Sequence, residues 1–297
     1  MGLFGFGRTK ATGIHISGQT MRVAALDADR AGIRPLVLTA EELERPFDPV
    51  SLGDEQQRQE LATKLAALAA TYDFDYSTAC FSLDRRLGLI QRRPLVARTE
   101  RENLKQLLWE AEQILAGDAK AFSCDFVLTS QWGFMVAARH RALDGYRTLG
   151  KAAAVGRLDV DLVPFALYNA SECANLLAKD TFSLLLYADA SEAWLLLIEE
   201  GELCAVTSCC WEQEDDAPAA LEGAARKLLS AGGNDLQRLW GAGFVYWSED
   251  LAAHLGVPHS ILDPLAAVKP KLLDSTPPAQ RSEYAIAVGL AQRGLVR

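Results

Sequence analysis

The stretch that decides the fold is Gly13-Ile14-His15-Ile16-Ser17-Gly18-Gln19-Thr20-Met21-Arg22-Val23-Ala24-Ala25-Leu26. Its first apolar residues alternate, a Gly18-Gln19 turn follows, and a second apolar run comes next, which is the pattern of two strands joined by a hairpin. A third strand, Pro35–Leu38, follows a turn at Ala31-Gly32. We therefore expect the chain to open with a three-stranded β-meander.

The same pattern restarts in the second half of the chain. Strands are predicted at 181–187, 193–198 and 202–209, with a hairpin turn at Glu200-Gly201. Apolar spacing and capping signals predict helices after both meanders, at 54–71, 99–114, 141–153, 164–177, 217–231, 248–255 and 281–294. This order predicts two related α/β lobes around a cleft, and such clefts commonly bind ligands.

The composition is that of a globular protein without a basic face. The chain has 297 residues, 49% of them hydrophobic, and a formal net charge of −9. This charge argues against a nucleic-acid partner. No apolar run is long enough to span a membrane, and the first ten residues are too short for a signal-peptide core. We expect a cytoplasmic protein.

Neither the cysteines nor the histidines form a recognisable chemical site. The cysteines are Cys80, Cys124, Cys173, Cys204, Cys209 and Cys210. They contain no CxxC pair, so we expect small buried residues in a reducing compartment and no metal site. No P-loop, HExxH or Ser/His/Asp signature is present either.

Six segments, in order along the chain, are similar to the type IV pilus assembly protein PilM family. They are the opening 2–27, the helix start Thr99-Glu100-Arg101-Glu102-Asn103-Leu104, the strand Phe134–Arg139, the element Val160–Leu167, the pair Leu255-Gly256-Val257-Pro258 and Leu262-Asp263-Pro264, and the closing helix Tyr284–Gly294. The resemblance covers nearly the whole chain.

The resemblance implies an actin-like, ribonuclease H-like, two-lobed α/β fold. In this interpretation residues 1–10 are a flexible tail, and 11–180 are the first lobe with an inserted subdomain at about 85–163. Residues 181–297 are the second lobe, whose final helix 281–294 packs back on the first. The cap of the second lobe, in residues 212–235, is reduced. In an alternative interpretation, the tail residues Leu3, Phe4 and Phe6 contact an anionic membrane surface.

The resemblance also implies a partner. Such proteins lie at the inner face of the inner membrane, where they hold the cytoplasmic peptide of a PilN-like bitopic protein and meet other platform components. The resemblance does not decide whether the protein serves a type IV pilus, a mannose-sensitive-type pilus or a type II secretion system. Protein L of the type II secretion system has a related cytoplasmic domain. We expect a peptide groove near 86–98, formed by Leu89, Ile90, Arg92, Arg93, Leu95 and Val96. In the alternative, the arginines lie on a solvated edge strand.

In actin-like ATPases two hairpins hold the phosphates, each with an aspartate followed by a glycine. Here His15 and Ser17 stand at those positions in the first hairpin. In the second hairpin they are Tyr187 and Asp189, unless the register slips by two, in which case Asp189 is the metal-side acid. A carboxylate at the glycine position would repel phosphate.

The residues left for a vestigial nucleotide site are Gly18, Gln19, Thr20, Ala190, Ser191, Gly241, Ala242 and Gly243. We therefore expect a pseudo-ATPase adaptor without a cofactor. Binding of ATP with Mg²⁺ is the alternative that the sequence does not exclude. The alternative functions are an active ATPase of the same machinery or a sugar-kinase-like enzyme.

Overall fold

A computed structural model describes residues 9–30, 32–74, 76–115, 118–176, 182–230, 236–268 and 276–295. The strands are β1 (Thr9–Ser17), β2 (Thr20–Asp29), β3 (Gly32–Glu42), β4 (Thr78–Leu83), β5 (Gly88–Pro94), β6 (Phe122–Leu128), β7 (Trp132–Arg139), β8 (Arg157–Leu162), β9 (Phe182–Ala188), β10 (Glu192–Glu199), β11 (Glu202–Cys210), β12 (Arg238–Gly243) and β13 (His259–Ile261). The α-helices are α1 (Glu55–Tyr72), α2 (Glu100–Ile114), α3 (His140–Ala152), α4 (Val163–Cys173), α5 (Ala217–Leu229), α6 (Val245–Leu255), α7 (Pro278–Ser282) and α8 (Ala285–Leu295).

Two five-stranded sheets repeat one topology. Their strand orders are β3-β2-β1-β4-β8 and β11-β10-β9-β12-β13. In each sheet an antiparallel meander continues into two parallel strands. Parallel strands need a crossover connection, so the helices lie between them in sequence and cover the sheet faces. Both predicted meanders are present.

The second sheet is apolar on both faces. Trp194, Leu196 and Ile198 on β10 join the core that continues into the first lobe. Their alternates, Leu195 and Leu197, join the core beneath α5 and α6. Successive side chains of a strand point to opposite faces, so one strand serves both cores. The two lobes thus share packed apolar contacts.

The insert is a three-stranded sheet in the order β5-β7-β6, with α2 on one face. It spans 88–139, so the predicted insert at 85–163 was too long. β8 belongs instead to the first sheet, where it pairs in parallel with β4 over Thr78–Leu83. This pairing joins residues far apart in sequence, which local patterns do not reveal. The predicted tail 1–10 was also too long, because β1 begins at Thr9. Leu3, Phe4 and Phe6 lie outside the described residues.

The closing segment, predicted as one helix, consists of α7 and α8. α8 packs against β1, β2, β4 and α4 of the first lobe. A Cβ on Gly289 would lie 1.7 Å from the carbonyl oxygen of Ala166, and one on Gly13 would lie 1.9 Å from that of Ala287. Only glycine permits this close approach of helix, strand and helix.

Between β11 and α5 the chain contains only residues 211–216, which include a short 3-10 turn. This matches the predicted reduction of the cap, although residues 231–235 lie outside the described range. Within the described residues no helix is long and apolar enough to cross a membrane. The cysteines form no disulfides, and they range from buried at Cys80 to exposed at Cys210.

Candidate functional site

The residues of the first hairpin that were predicted to contact phosphate lie at its exposed tip. Gly18 has φ +56°, a left-handed conformation that suits glycine. The carbonyl oxygens of Gly18 and Gln19 accept hydrogen bonds from the amides of Phe47 and Leu43, at 2.8 and 2.7 Å. Thr20 donates its hydroxyl to Glu42 over 3.0 Å. The hairpin is thus tied to the segment that follows β3.

The second hairpin repeats the geometry of the first. Ser17 pairs with Thr20 across a two-residue turn, and the Asp189 amide donates to the Glu192 carbonyl across another. Aligned on these turns, Asp189 corresponds to Ser17 and Tyr187 corresponds to His15. This is the preferred register of the sequence analysis, so neither position of the metal-side acid carries a carboxylate.

The second hairpin also satisfies its own polar groups. The Asp189 carboxylate accepts from the Ala190 amide at 2.8 Å. Trp211 donates its backbone amide to the Ser191 carbonyl at 3.0 Å and its indole N–H to the Ala190 carbonyl at 2.9 Å. The Ala190 amide, which would face a phosphate in an active hairpin, therefore already has an acceptor.

A buried ion pair links the two lobes beside the hairpins. Arg22 on β2 and Asp189 lie 3.3 Å apart, with side chains only 6% and 8% exposed. Tyr187 donates its hydroxyl to the same carboxylate at 3.5 Å, and Glu283 lies 3.7 Å from the other guanidinium nitrogen of Arg22. Burial alone would lower the pKa of Arg22, but Tyr187, Asp189 and Glu283 outweigh it and raise that pKa. Arg22 is therefore a fixed positive charge.

His15 is buried beneath this pair. Its Nδ1 lies 2.9 Å from the Ser82 hydroxyl, and its ring meets that of Tyr187 edge to face at 5.7 Å. Its Nε2 is buried without a hydrogen-bond partner among the described atoms. Burial, reinforced by the charge of Arg22 and opposed by Asp189, lowers the pKa of His15 to about 4. At neutral pH the imidazole is uncharged.

These residues fit a magnesium nucleotide poorly. Mg²⁺ prefers oxygen ligands, whereas the two positions of the expected acids hold an imidazole and a phenol. Burial raises the pKa of Tyr187 well above its usual value, so the phenol keeps its proton. The nearby Asp189 carboxylate is engaged by Arg22 and would repel a phosphate. The described residues contain no cluster of three or more His, Cys, Asp or Glu able to hold a metal.

The glycines of the adenosine-side turn have a structural explanation. Gly243 ends β12 with φ +73°, and a Cβ there would lie 2.0 Å from the Ala188 carbonyl. A Cβ on Gly241 would lie 1.8 Å from the Ser248 hydroxyl oxygen. Ala242 between them is fully buried. Close packing of β12 on β9 and α6 therefore accounts for both glycines without a ligand.

The predicted groove residues fall on two faces of the insert. Alternation along β5 turns Leu89 toward α3 and turns Ile90 and Arg92 toward the second lobe. Arg93 is paired with Glu110, whose carboxylate accepts from its Nε at 2.5 Å. Leu95 packs near Gly133, and Val96 is 73% exposed. The six residues therefore cannot contact one peptide together.

One of those faces borders an apolar groove of about 500 Å³ between the insert and the first lobe. Its floor includes Leu52, Leu87, Leu89 and Ala137. Arginines lie along it: Arg58, Arg86, Arg139 and Arg141. Of these residues only Leu89 was among the six predicted, although Arg86 and Leu87 also lie in the predicted stretch 86–98. The others come from separate segments at 49–58 and 137–148, which local patterns do not bring together.

No protein-family model matches this sequence, and no curated protein matches it. Among solved structures, a chain of a PilM–PilN type IV pilus biogenesis complex is 19% identical, with a TM-score of 0.73 over 97% of this chain and 99% of that one. A protein of actin-like ATPase fold and unknown function from Bacteroides thetaiotaomicron is 11% identical, with a TM-score of 0.50 over 89% and 95%. The ethanolamine utilization protein EutJ from Carboxydothermus hydrogenoformans is 9% identical, with a TM-score of 0.54 over 96% and 89%.

These comparisons confirm the actin-like fold. The similarity to the PilM–PilN chain extends over nearly the full length of both chains, so the insert is part of the shared architecture. The expected resemblance to the PilM family is therefore confirmed at the level of the fold.

Proposed function

We propose that this chain is a cytoplasmic adaptor of a pilus or secretion platform at the inner face of the inner membrane. It holds an extended cytoplasmic segment of a PilN-like bitopic protein and does not hydrolyse ATP. The observation that carries this proposal is the apolar groove between the insert and the first lobe, in a chain whose fold matches that of a PilM–PilN complex over its whole length.

The chemistry of the groove supports a peptide as its occupant. Its exposed lining is mainly apolar, and the exposed Val50 extends it at one end. An extended peptide buries alternate side chains in such a surface while its backbone bonds to the rim. Arg86 and Arg139 already pair with Asp84 and Asp118, so an acidic side chain on the bound segment would be favoured by Arg58 and Arg141.

The ion pair between Arg22 and Asp189 supports the absence of hydrolysis. The guanidinium supplies a positive charge next to the hairpins, and the carboxylate supplies the negative one. A phosphate that used Arg22 as its counter-charge would have to displace Asp189, and breaking such a buried pair costs several kcal/mol. In this proposal the fold keeps its two lobes together with an internal contact instead of a ligand.

The groove is tested with two exposed valines. Val50 is 61% exposed and lines the groove, whereas Val96 is 73% exposed and lies outside it. Binding of a labelled synthetic peptide, the cytoplasmic segment of the PilN-like protein from the same organism, is measured by fluorescence anisotropy. Val50→Asp should weaken binding about tenfold or more, since it loses apolar burial and places a carboxylate under the peptide. Val96→Asp should bind as the parent does.

Equal effects of the two substitutions, or no binding by the unmodified chain, would reject the groove as the docking site. The lack of hydrolysis is tested separately, by calorimetric titration with Mg-ATP and Mg-ADP. We expect no nucleotide binding that requires Mg²⁺ and no release of phosphate from Mg-ATP. Magnesium-dependent ATP turnover would overturn the pseudo-ATPase proposal and leave the peptide proposal standing.

A further inference from the structure

A second cleft lies between the insert and the second lobe, on the opposite face of β5 from the peptide groove. It encloses about 410 Å³ and wraps around the edge strand β11. Its described lining holds three cationic side chains, two hydroxyls and no acidic side chain: Arg85, Arg92, Lys227, Thr207 and Ser208. In a chain of net charge −9, such a concentration of positive charge is local and not a property of the whole surface.

Arg92 is the central cation of this cleft. Its guanidinium donates to the Cys204 carbonyl at 2.8 Å and stacks 4.0 Å from the centre of the Trp132 ring. No carboxylate among the described residues lies close enough to form an ion pair with it. Burial lowers the pKa of Arg92, which is the sign of a half-buried charge without a carboxylate. An arriving anion would supply the missing counter-charge.

The other two cations differ in how far they are neutralised. Arg85 is already paired with Glu192 at 3.1 Å. Lys227 is exposed at the rim, on α5, and makes no ion pair among the residues that the structure describes. The cleft therefore carries an excess of about two positive charges, from Arg92 and Lys227, after the pair of Arg85 is counted.

We infer that this cleft binds a small phosphate-bearing anion, which Arg92 and Lys227 contact with their charges. Thr207 and Ser208 are neighbours on β11 and point to opposite faces of its sheet, so one of their two hydroxyls completes the site. Phosphate oxygens accept hydrogen bonds from guanidinium, ammonium and hydroxyl groups alike. The lining of this cleft is charged and hydroxylated, whereas that of the peptide groove is mainly apolar, so an anion suits the cleft better than an apolar peptide side chain does. Since the positive charge comes from side chains, binding requires no divalent metal, in contrast to a nucleotide on actin-like hairpins. The site is separate from the proposed peptide groove.

A ligand in this cleft would also stabilise the contact between the insert and the second lobe. The walls of the cleft come from β5 and β7 of the insert and from β10, β11 and α5 of the second lobe. A ligand that contacts both the insert and the second lobe binds only when the two are packed against each other. It therefore raises the stability of that arrangement in proportion to the logarithm of its concentration.

Pyrophosphate is the probe, titrated calorimetrically into the full chain at constant ionic strength, once with EDTA and once with Mg²⁺. Lys227→Glu is compared with Arg226→Glu, because both side chains are exposed neighbours on α5 and only Lys227 lines the cleft. We expect binding in EDTA that Lys227→Glu weakens about tenfold, through the loss of one charge-assisted contact. Arg226→Glu should change it less than about twofold. Arg92→Lys, which keeps the charge but loses the planar fork, should weaken it as well.

Three results would overturn the inference: no heat with millimolar pyrophosphate, equal weakening by Lys227→Glu and Arg226→Glu, or binding only when Mg²⁺ is present. The last would assign the anion to the hairpins. Peptide binding measured with Val50→Asp is independent of all three, so failure here leaves the adaptor proposal intact.

Discussion

Removing one partner of the buried ion pair between the lobes should strongly destabilise the protein, and Asp189→Asn tests it. The substitution keeps the size of the side chain and an acceptor for the Ala190 amide, but it removes the charge that neutralises Arg22. Breaking a buried pair by removing one partner costs about 3–5 kcal/mol. Glu283, 3.7 Å from Arg22 and 38% exposed, neutralises part of the remaining charge. We therefore expect a loss of about 2–3 kcal/mol.

The assay is equilibrium unfolding in urea followed by circular dichroism. Asp118→Asn is the matched control, because Asp118 and Arg139 also lie 3.3 Å apart but are about 60% exposed (60% and 61%). An exposed pair contributes little, so this control should lose less than about 0.5 kcal/mol. The double variant Arg22→Met/Asp189→Asn should regain much of the lost stability, because it no longer buries an unpaired charge.

The reasoning is refuted if Asp189→Asn costs no more than Asp118→Asn. It is also refuted if the double variant is destabilised by the sum of its two single substitutions, because additivity means that the two side chains do not interact.

Two further predictions concern His15 and the glycine that ends β12. His15 has a folded-state pKa of about 4 against 6.5 when unfolded, so protons bind the unfolded chain first and stability falls as pH drops from about 6.5 to 4. Urea titrations at pH 7 and at pH 4.5 give the free energy of unfolding that the protein loses on acidification. His15→Gln should reduce this loss by about 2 kcal/mol, and an equal loss in the variant and the parent would contradict the prediction. Gly243→Ala should lower the unfolding midpoint by several degrees, because its Cβ would meet the Ala188 carbonyl at φ +73°. Gly223→Ala in α5 meets nothing within 4 Å and should be neutral or stabilising, by about 0.5–1 kcal/mol.

The repeated lobes could be predicted from the sequence because their signals are local. Alternation around Gly18 and the hairpin at Glu200-Gly201 lie within a few residues, and both meanders were found. The end of the insert could not be predicted in this way. β8 joins β4 through parallel pairing of strands about eighty residues apart, and its own sequence suits either sheet.

The site was harder to predict than the fold. The register of the second hairpin was predicted, and with it the absence of an acid at Tyr187. The partner of Asp189 was not, because Arg22 lies 167 residues away. One signal was present: Arg22 is the only charge in the buried run Met21–Leu26, and a buried charge requires a counter-ion. The split of Leu89 and Ile90 between two faces also follows from the two-residue period of a strand, once β5 is recognised as one.

The position of α8 has a consequence for how the protein is made. α8 is synthesised after the whole second lobe, yet it packs against β1, whose Gly13 fits against the Ala287 carbonyl. During synthesis, one face of the sheet in the first lobe stays exposed until residues 285–295 have left the ribosome. Closure of this lobe thus depends on a contact between β1 and α8, which are far apart in sequence, and contacts of that kind form slowly in folding. A truncated translation product would expose that apolar face, which marks it for chaperones and proteases.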